Sequence, residues 1–478
     1  MMLRSVVCVL SIFLFLSINA QYTLINDAVK NPNEFIIYDT DFPAAAFFAE
    51  RRQALRDSLP ANSVAVIFSG QLKTRSLDMD FDFHQNPNLF YLTGLNEPDA
   101  MLLIFKNEEA SDTLKTNEIL FVQPKNPTAE LWSGKRMGVK NALKNLCIKT
   151  VLPNTAFSDF MISFDQFSKI TYIPTGSDIK DNPRDRGDLF SLYQHFKEKT
   201  EGLQTLDSQL LLEILAGMRQ IKKQDELNLM IKAINITCNA HKELMKTVEP
   251  GMFEYQAQAI IEYMFKNRGA ENPAFPSICG SGENSCVLHY SSNRRKLQKR
   301  DLMVVDVGAE YHGYCADVTR TIPVDGTFTD QQKAIYKLVL KAQKSALLKC
   351  VEGRKFWEPN ETAQDVIANG LLELGIIKNR NDYHKYFPHG TSHYLGLDVH
   401  DVGLFNYLQK GNVITVEPGI YIPSGSDCDP KWWNIGIRIE DDVLITSGEP
   451  EVLSAGAPKE IEEIESLMQK TGTSIPDR

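Results

Sequence analysis

The chain has 478 residues, with 51 Lys and Arg against 61 Asp and Glu, a formal charge of −10 at pH 7, 43% hydrophobic residues and 23% charged ones. This length allows two or three domains at roughly 150 residues each, and the composition excludes a disordered chain, a collagen, a coiled coil or a small disulfide scaffold. The acidic balance argues against nucleic acid as a partner, because no broad basic face is available to neutralise phosphates; the densest basic cluster, Arg294, Arg295, Lys296, Lys299 and Arg300, is short and reads as a solvated loop.

At the start, Arg4 precedes the apolar run Val6–Ile18, which ends on Asn19-Ala20. A positive start, a short apolar centre and a small-residue exit describe a secretory signal peptide over residues 1–20. The run is too short to cross a bilayer as a helix, which takes about 20 apolar residues. Export to a periplasm or to the outside is therefore expected, with no membrane span after cleavage. Cys8 would leave with the signal. The remaining cysteines, Cys147, Cys238, Cys279, Cys286, Cys315, Cys350 and Cys428, are scattered and contain no Cys-x-x-Cys. They form neither a disulfide framework nor a zinc cluster and read mostly as small core residues.

From residue 38 to residue 205 the pattern is that of an α/β domain. Ala45–Leu59 is a helix stopped by Pro60, and Val64–Phe68, Met101–Phe105, Ile119–Val122 and Ile170–Ile173 are apolar runs of strand length. Asp188–Lys199 is helical again. The polar stretch Lys197–Asp207 marks a boundary, and residues 206–465 form a second domain of α+β type. Its helices are Ser208–Met218, Asp225–Val248, Phe253–Asn267, Thr329–Val351 and Thr362–Leu374; its strands are Leu302–Val307, Tyr314–Pro323, Val413–Ile422 and Gly436–Thr446.

Chemistry shows in this second domain. Asp306 ends an apolar run, Asp317 lies in the next one, and Glu310-Tyr-His-Gly313 between them suits a tight turn. With Tyr311 and His312 as the turn residues, Asp306 and Asp317 face each other across the hairpin. Opposed like charges destabilise a strand pair unless a cation sits between them. The alternative, open on this pair alone, is a turn slipped by one residue and two ordinary surface acids. Glu417 and Glu440 repeat the arrangement, because a hairpin centred between Cys428 and Asp429 puts them opposite each other in apolar strands. Ionised carboxylates there are costly unless paired or metal-bound.

Of nine histidines, His389, His393 and His400 fall in one short stretch. Four carboxylates with one or two imidazoles make a hard, oxygen-rich set for two divalent ions, manganese first and cobalt or zinc as alternatives. Two ions sharing carboxylates activate water and polarise a carbonyl, which is hydrolytic chemistry.

These residues resemble a known family. Asp306-Val-Gly, Tyr314-Cys-Ala-Asp317-Val-Thr-Arg-Thr321, His389-Gly-Thr-Ser-His393, Glu417-Pro-Gly-Ile-Tyr421 and Gly436-Ile-Arg-Ile-Glu440-Asp-Asp442 are similar to the motifs of the pita-bread metallopeptidases. That group includes methionine aminopeptidase, prolidase and aminopeptidase P. The resemblance implies a pita-bread fold for the α+β domain and a dimetal site of Asp306, Asp317, His393, Glu417 and Glu440. Asp317 and Glu440 would bridge the ions, and Glu417 would also shuttle the proton. Arg51-Arg52-Gln-Ala-Leu55 and His84-Gln-Asn-Pro-Asn-Leu-Phe-Tyr-Leu-Thr-Gly-Leu-Asn-Glu-Pro98 resemble the amino-terminal domain shared by aminopeptidase P and prolidase. Gly280-Ser-Gly-Glu-Asn-Ser-Cys-Val-Leu-His289 also resembles that branch. It implies that His289, His389, His400 and Arg438 contact the substrate's proline and stabilise the reaction intermediate, with His289 and His400 counted as catalytic.

The expected activity is release of the first residue from peptides with proline second. A prolidase, cutting only Xaa-Pro dipeptides, is the alternative; the direct run from Trp432 into Arg438 looks more like aminopeptidase P. A non-catalytic peptide-binding relative is the remaining reading, and retention of all five ligand types speaks against it. The expected partners are such peptides, and assembly into a homo-oligomer is left open.

Overall fold

The computed structural model describes residues 40–108, 115–176, 178–183 and 185–470; the expected signal segment 1–20 lies outside the described residues. The chain divides into two compact units, Met1–Leu212 and Glu213–Arg478. The dividing point lies inside the helix Leu210–Arg219, slightly beyond the expected 205/206, because Leu206–Asp207 is still a strand of the first sheet.

The first unit is built on a mixed six-stranded sheet in the order Val151–Pro153, Glu118–Val122, Met101–Phe105, Ser63–Phe68, Lys169–Tyr172, Leu206–Asp207. The three central apolar runs are buried along their whole length, as strands covered on both faces must be. Phe68, Phe105, Phe121, Phe157, Phe164 and Phe196 fill one side of this core. The helix Ala45–Ser58 carries buried Arg51 and Arg52 among its apolar residues. A helix absent from the sequence reading, Pro87–Thr93, has full signals at both ends. Asn86 caps it through Oδ1, accepting from the backbone N–H of Asn88 at 2.9 Å, and Gly94 ends it with φ of 69°.

The second unit holds two long hairpins flanked by the helices Gln224–Thr247, Glu254–Asn267, Asp330–Leu347 and Glu358–Glu373. These agree with the expected helices to within a few residues at each end. In the first hairpin, Leu302–Val307 pairs with Val318–Pro323 and Ala309–Tyr311 with Tyr314–Cys315. Its turn residues are His312 and Gly313, with φ of 48° and 78°. Asp306 therefore pairs with Thr319, not with Asp317. The reason is turn chemistry: a two-residue hairpin turn of this kind needs positive φ at both central positions, which Gly313 meets freely and Tyr311 would not. Asp317 lies in the break just before Val318, where that partner strand begins.

The second hairpin follows the expected register throughout. Val413–Val416 pairs with Asp441–Leu444, and Gly419–Ile422 pairs with Ile435–Arg438. Glu417 and Glu440 stand opposite each other at the gap between these two ladders. The expected unbroken strands Tyr314–Pro323 and Val413–Ile422 are thus each interrupted beside an acid. At these breaks the backbone N–H groups bond elsewhere: Asp317 donates to Asp442 Oδ2 at 3.2 Å, Glu417 to the Thr391 carbonyl at 2.9 Å, and Glu440 to the Thr319 carbonyl at 3.1 Å. Pro418 has no N–H to keep the ladder going. The Glu440–Thr319 bond joins the two hairpins, so Asp306 on its strand and the three acids at the strand breaks arrive in one place.

Candidate active site

The two hairpins and the stretch from His389 to His400 enclose a cleft of about 800 Å³. Asp306, Asp317, His393, Glu417 and Glu440 line it, and so do His289, His389, His400 and Arg438. Every residue singled out for chemistry in the sequence is therefore brought to one cavity. Phe275, Pro276, Ile278, Leu288 and Val399 supply its apolar wall.

Asp317, His393 and Glu440 form the tightest group, each offering one ligand atom within 4.8 Å of the others'. His393 Nε2 lies 3.4 Å from Asp317 Oδ2 and 3.6 Å from Glu417 Oε1. Its other nitrogen, Nδ1, is 3.0 Å from the Tyr394 carbonyl oxygen. Donation from Nδ1–H to that carbonyl leaves the Nε2 lone pair facing the carboxylates, the arrangement typical of a metal-binding imidazole. Asp306 Oδ1 and Asp317 Oδ1 are buried and receive no hydrogen bond. Buried carboxylate oxygens normally find a donor, so these two are left for something the chain does not itself provide. The oxygen-rich donor set and these orphaned atoms fit divalent cations.

Electrostatics agree with the geometry. Burial holds the Asp317 carboxyl well above its ordinary range, reinforced by Asp306, Asp442 and Glu417 nearby. Burial acts likewise on Glu440, with Asp317, Glu417 and Asp306 adding to it. Glu417 is pushed up to about 7 by burial, against the opposing pull of His393 and Arg438. Without a cation these acids hold protons; a divalent ion displaces them.

The other expected residues divide into two groups. His289 and His400 are exposed at the mouth, and the His400 ring lies 4.3 Å from that of His393. Burial, and then His393 and His289, lower the pKa of His400, so its imidazole is neutral at pH 7. His389 and Arg438 are instead engaged by the protein. Burial lowers His389 to about 4, and its Nδ1 faces the Gly390 carbonyl at 2.7 Å while Nε2 faces the Tyr421 hydroxyl at 2.9 Å. The guanidinium of Arg438 donates to Asp306 Oδ2 at 2.6 Å, to the Tyr421 hydroxyl at 2.8 Å and to Thr319 Oγ1 at 3.2 Å. Thr319 in turn donates to Glu440 Oε2 at 2.6 Å. Arg438 thus grips a carboxylate and a threonine that grips a second carboxylate.

Thr319, Tyr421 and Asp442 were given no role from sequence, although all three lie in the quoted motifs. The signal for Thr319 was its spacing, two residues after Asp317 in a run that reads in sequence as one strand, where alternate residues share a face. Glu254 was also missed. Fully buried at the start of its helix, it accepts from the backbone and hydroxyl of Ser281, from Asn284 and Arg295, and from the Tyr290 hydroxyl, and so shapes the loop that ends at His289. In sequence it reads only as an acid in a first helical turn.

Comparison with known proteins follows the same division of the chain. Residues 228–447 match Metallopeptidase family M24, and residues 48–169 match the Aminopeptidase P, N-terminal domain. The Xaa-Pro aminopeptidase of Haemophilus influenzae is 37% identical over 88% of this chain and 96% of its own length. The chain belongs to metallopeptidase family M24. It is a metal-dependent hydrolase with the pita-bread fold, preceded by an aminopeptidase P amino-terminal domain. The structure of Escherichia coli aminopeptidase P with the inhibitor Pro-Leu superposes with a TM-score of 0.81, at 33% identity, covering 89% of this chain and 98% of that one. A zinc-substituted form of the E. coli enzyme in complex with product matches with a TM-score of 0.80 at 34% identity, over the same shares of each chain. Among the described residues seven cysteines are without disulfide partners, six of them in the second unit, and four, Cys238, Cys279, Cys315 and Cys350, are buried. Among the described residues no helix is long and apolar enough to cross a membrane.

Proposed function

We propose that this M24 enzyme is a Xaa-Pro aminopeptidase whose dimetal site is formed by Asp306, Asp317, His393, Glu417 and Glu440. The observation that carries the reading is the single cleft that gathers all five of these side chains together with His289, His389 and His400. When bound there, two divalent ions would supply an activated water and polarisation of the scissile carbonyl. The oxygen-rich donor set favours manganese, with cobalt or zinc as alternatives.

The chain's own residues do the rest. Asp317 and Glu440, which with His393 form the tightest group, would supply carboxylate ligands to these ions. Glu417 lies within 4 Å of both His389 and His393 and opens to the cleft, where it takes the proton released by the attacking water and passes it on. His289 and His400, exposed at the mouth, reach the peptide and donate to the carbonyl oxygen as charge develops on it. Arg438 acts behind the ligands through Asp306 and Thr319, and His389 through Tyr421. The apolar wall of Phe275, Pro276 and Val399 offers a proline ring a surface to pack on.

The metal-stripped protein, assayed on Xaa-Pro and Xaa-Pro-Yaa peptides with and without added Mn²⁺, tests this reading. Metal-dependent release of the first residue from the longer peptides is expected. Cleavage of the dipeptide alone would make the enzyme a prolidase, and no cleavage by folded protein with any divalent metal would make it a binding relative. Export rests on the amino-terminal sequence; a mature chain beginning at Gln21 in its native host is the outcome expected from sequencing it.

A further inference from the structure

Between Tyr394 and Asp401 the chain leaves its strand pairing on a short excursion, closed by a bridge between those two residues in which Asp401 N–H donates to the Tyr394 carbonyl at 2.9 Å. Asp398, Val399 and His400 line the cleft. The next side chain, Asp401, turns the other way and is 1% exposed. Both of its carboxylate oxygens are taken: Arg219 donates to Oδ1, and Lys222 Nζ donates to Oδ2 at 2.8 Å. The same guanidinium holds Asp398 Oδ2 at 2.9 Å, and Lys222 Nζ also donates to the Arg219 carbonyl at 2.7 Å. One arginine therefore grips the excursion on both sides of Val399-His400. The cations are anchored in turn, since Lys222 N–H donates to the Gly411 carbonyl at 2.8 Å and Asn412 Nδ2 to the Gln220 carbonyl at 3.0 Å. There is no slack between excursion and cations: a Cβ at Gly396 would collide with the Asp401 carboxylate and come within 2.8 Å of Lys222 Nζ.

We propose that the buried Arg219–Asp401–Lys222 network is a positioning device that sets His400 in the cleft wall. A buried ion network gives little net stability over an apolar replacement of the same shape, whereas it does specify one geometry for the strand it holds. Here that geometry belongs to an excursion whose exposed end carries an imidazole 4.3 Å from His393. A small displacement of His400 would lose its reach to the peptide, and misplacements on the scale of 1 Å are costly in catalysis. The inference rests on the reading of His400 as a group that contacts substrate.

The test is a double-mutant cycle of Asp401→Asn and His400→Ala in the full, metal-loaded protein, with kcat, KM and bound metal measured for each variant on one Xaa-Pro-Yaa peptide. Asp401→Asn is expected to lower kcat/KM about tenfold with the metal content unchanged, and to lower it less than about twofold once His400 is already alanine. A tenfold loss that persists without His400, or no loss in Asp401→Asn alone, overturns the proposal. His400→Ala as active as the unaltered enzyme would instead overturn the role given to His400, while hydrolysis itself would still stand. Should Asp401→Asn not fold, Asp398→Asn carries the same cycle, because that side chain is 41% exposed; a loss that disappears in the His400→Ala background supports the device, and one that persists overturns it.

Discussion

Two buried charge clusters, one in each unit, end differently. In the first unit Glu118 accepts from Arg52 Nε and Arg56 Nη2 through Oε2, each at 3.0 Å, and from the Lys149 N–H through Oε1. Arg52 completes its set on the carbonyls of Leu92 and Cys147. Both carboxylate oxygens of Glu118 have donors in the chain, and the cluster explains itself as structure. In the second unit Asp306, Asp317, Glu417 and Glu440 converge with two buried oxygens unfilled, and their mutual repulsion is met only in part by Arg438 and His393. A buried charge cluster that the chain completes is scaffold; one it leaves incomplete is a binding site for what completes it.

Substitution on each side should sharpen that contrast. Asp317→Asn is expected to lower turnover by about 10³-fold or more while leaving the melting transition of the metal-free protein in place. Glu118→Gln should do the reverse, costing about 3–5 kcal/mol of stability in chemical denaturation with kcat of the folded fraction unchanged. Near-normal turnover in Asp317→Asn would break the comparison outright. His289→Ala, at the mouth and outside the ligand set, is expected to cost about 10²-fold in kcat/KM with metal content retained; equal loss of metal and activity would move His289 into the ligand shell. Thr319→Val removes the hydroxyl between Arg438 and Glu440, and metal affinity should fall by about tenfold, read by competition with a chelator.

The smallest effect is one of pH on the metal-free protein. Glu417 ordinarily titrates at 4.5 and is pushed up to about 7 in the fold by burial. Between these values the native state keeps a proton that the unfolded chain has released, so raising the pH through that window removes stability. Asp317 and Glu440, also raised, act in the same direction. The thermal midpoint of stripped protein should therefore fall as pH climbs from about 5 to about 8, and added Mn²⁺ should cancel the fall, because the ion displaces those protons. A midpoint that rises with pH in the stripped protein would contradict the clustering of unpaired acids.

Much of this was legible in the residues. The continuous apolar runs Val64–Phe68 and Met101–Phe105 became buried strands because short, unbroken apolar runs suit a sheet covered on both faces. Glu417 opposite Glu440 was readable because the loop between their strands has a centre that the apolar pattern on either side defines. Asp306 opposite Asp317 was not, because the choice between Tyr311-His312 and His312-Gly313 depends on which residues accept positive φ, and hydrophobic spacing says nothing about that. The breaks at Asp317 and Glu417 were hidden for a related reason. Each depends on a partner distant in sequence, Asp442 or Thr391, that captures a backbone N–H. Arg438 was assigned to substrate contact by the resemblance, and its residue type gave no sign that its three nitrogens also hold Asp306, Tyr421 and Thr319.

The central claim is that these carboxylates are arranged for two cations. Titration of Mn²⁺ into the stripped, folded protein, followed by calorimetry and by peptide hydrolysis on the same samples, tests it most directly. Two ions per chain, taken up with release of protons and with activity returning as they bind, is the result expected. Uptake of less than one ion per chain by folded protein, or hydrolysis that proceeds undiminished before any ion is added, would contradict it.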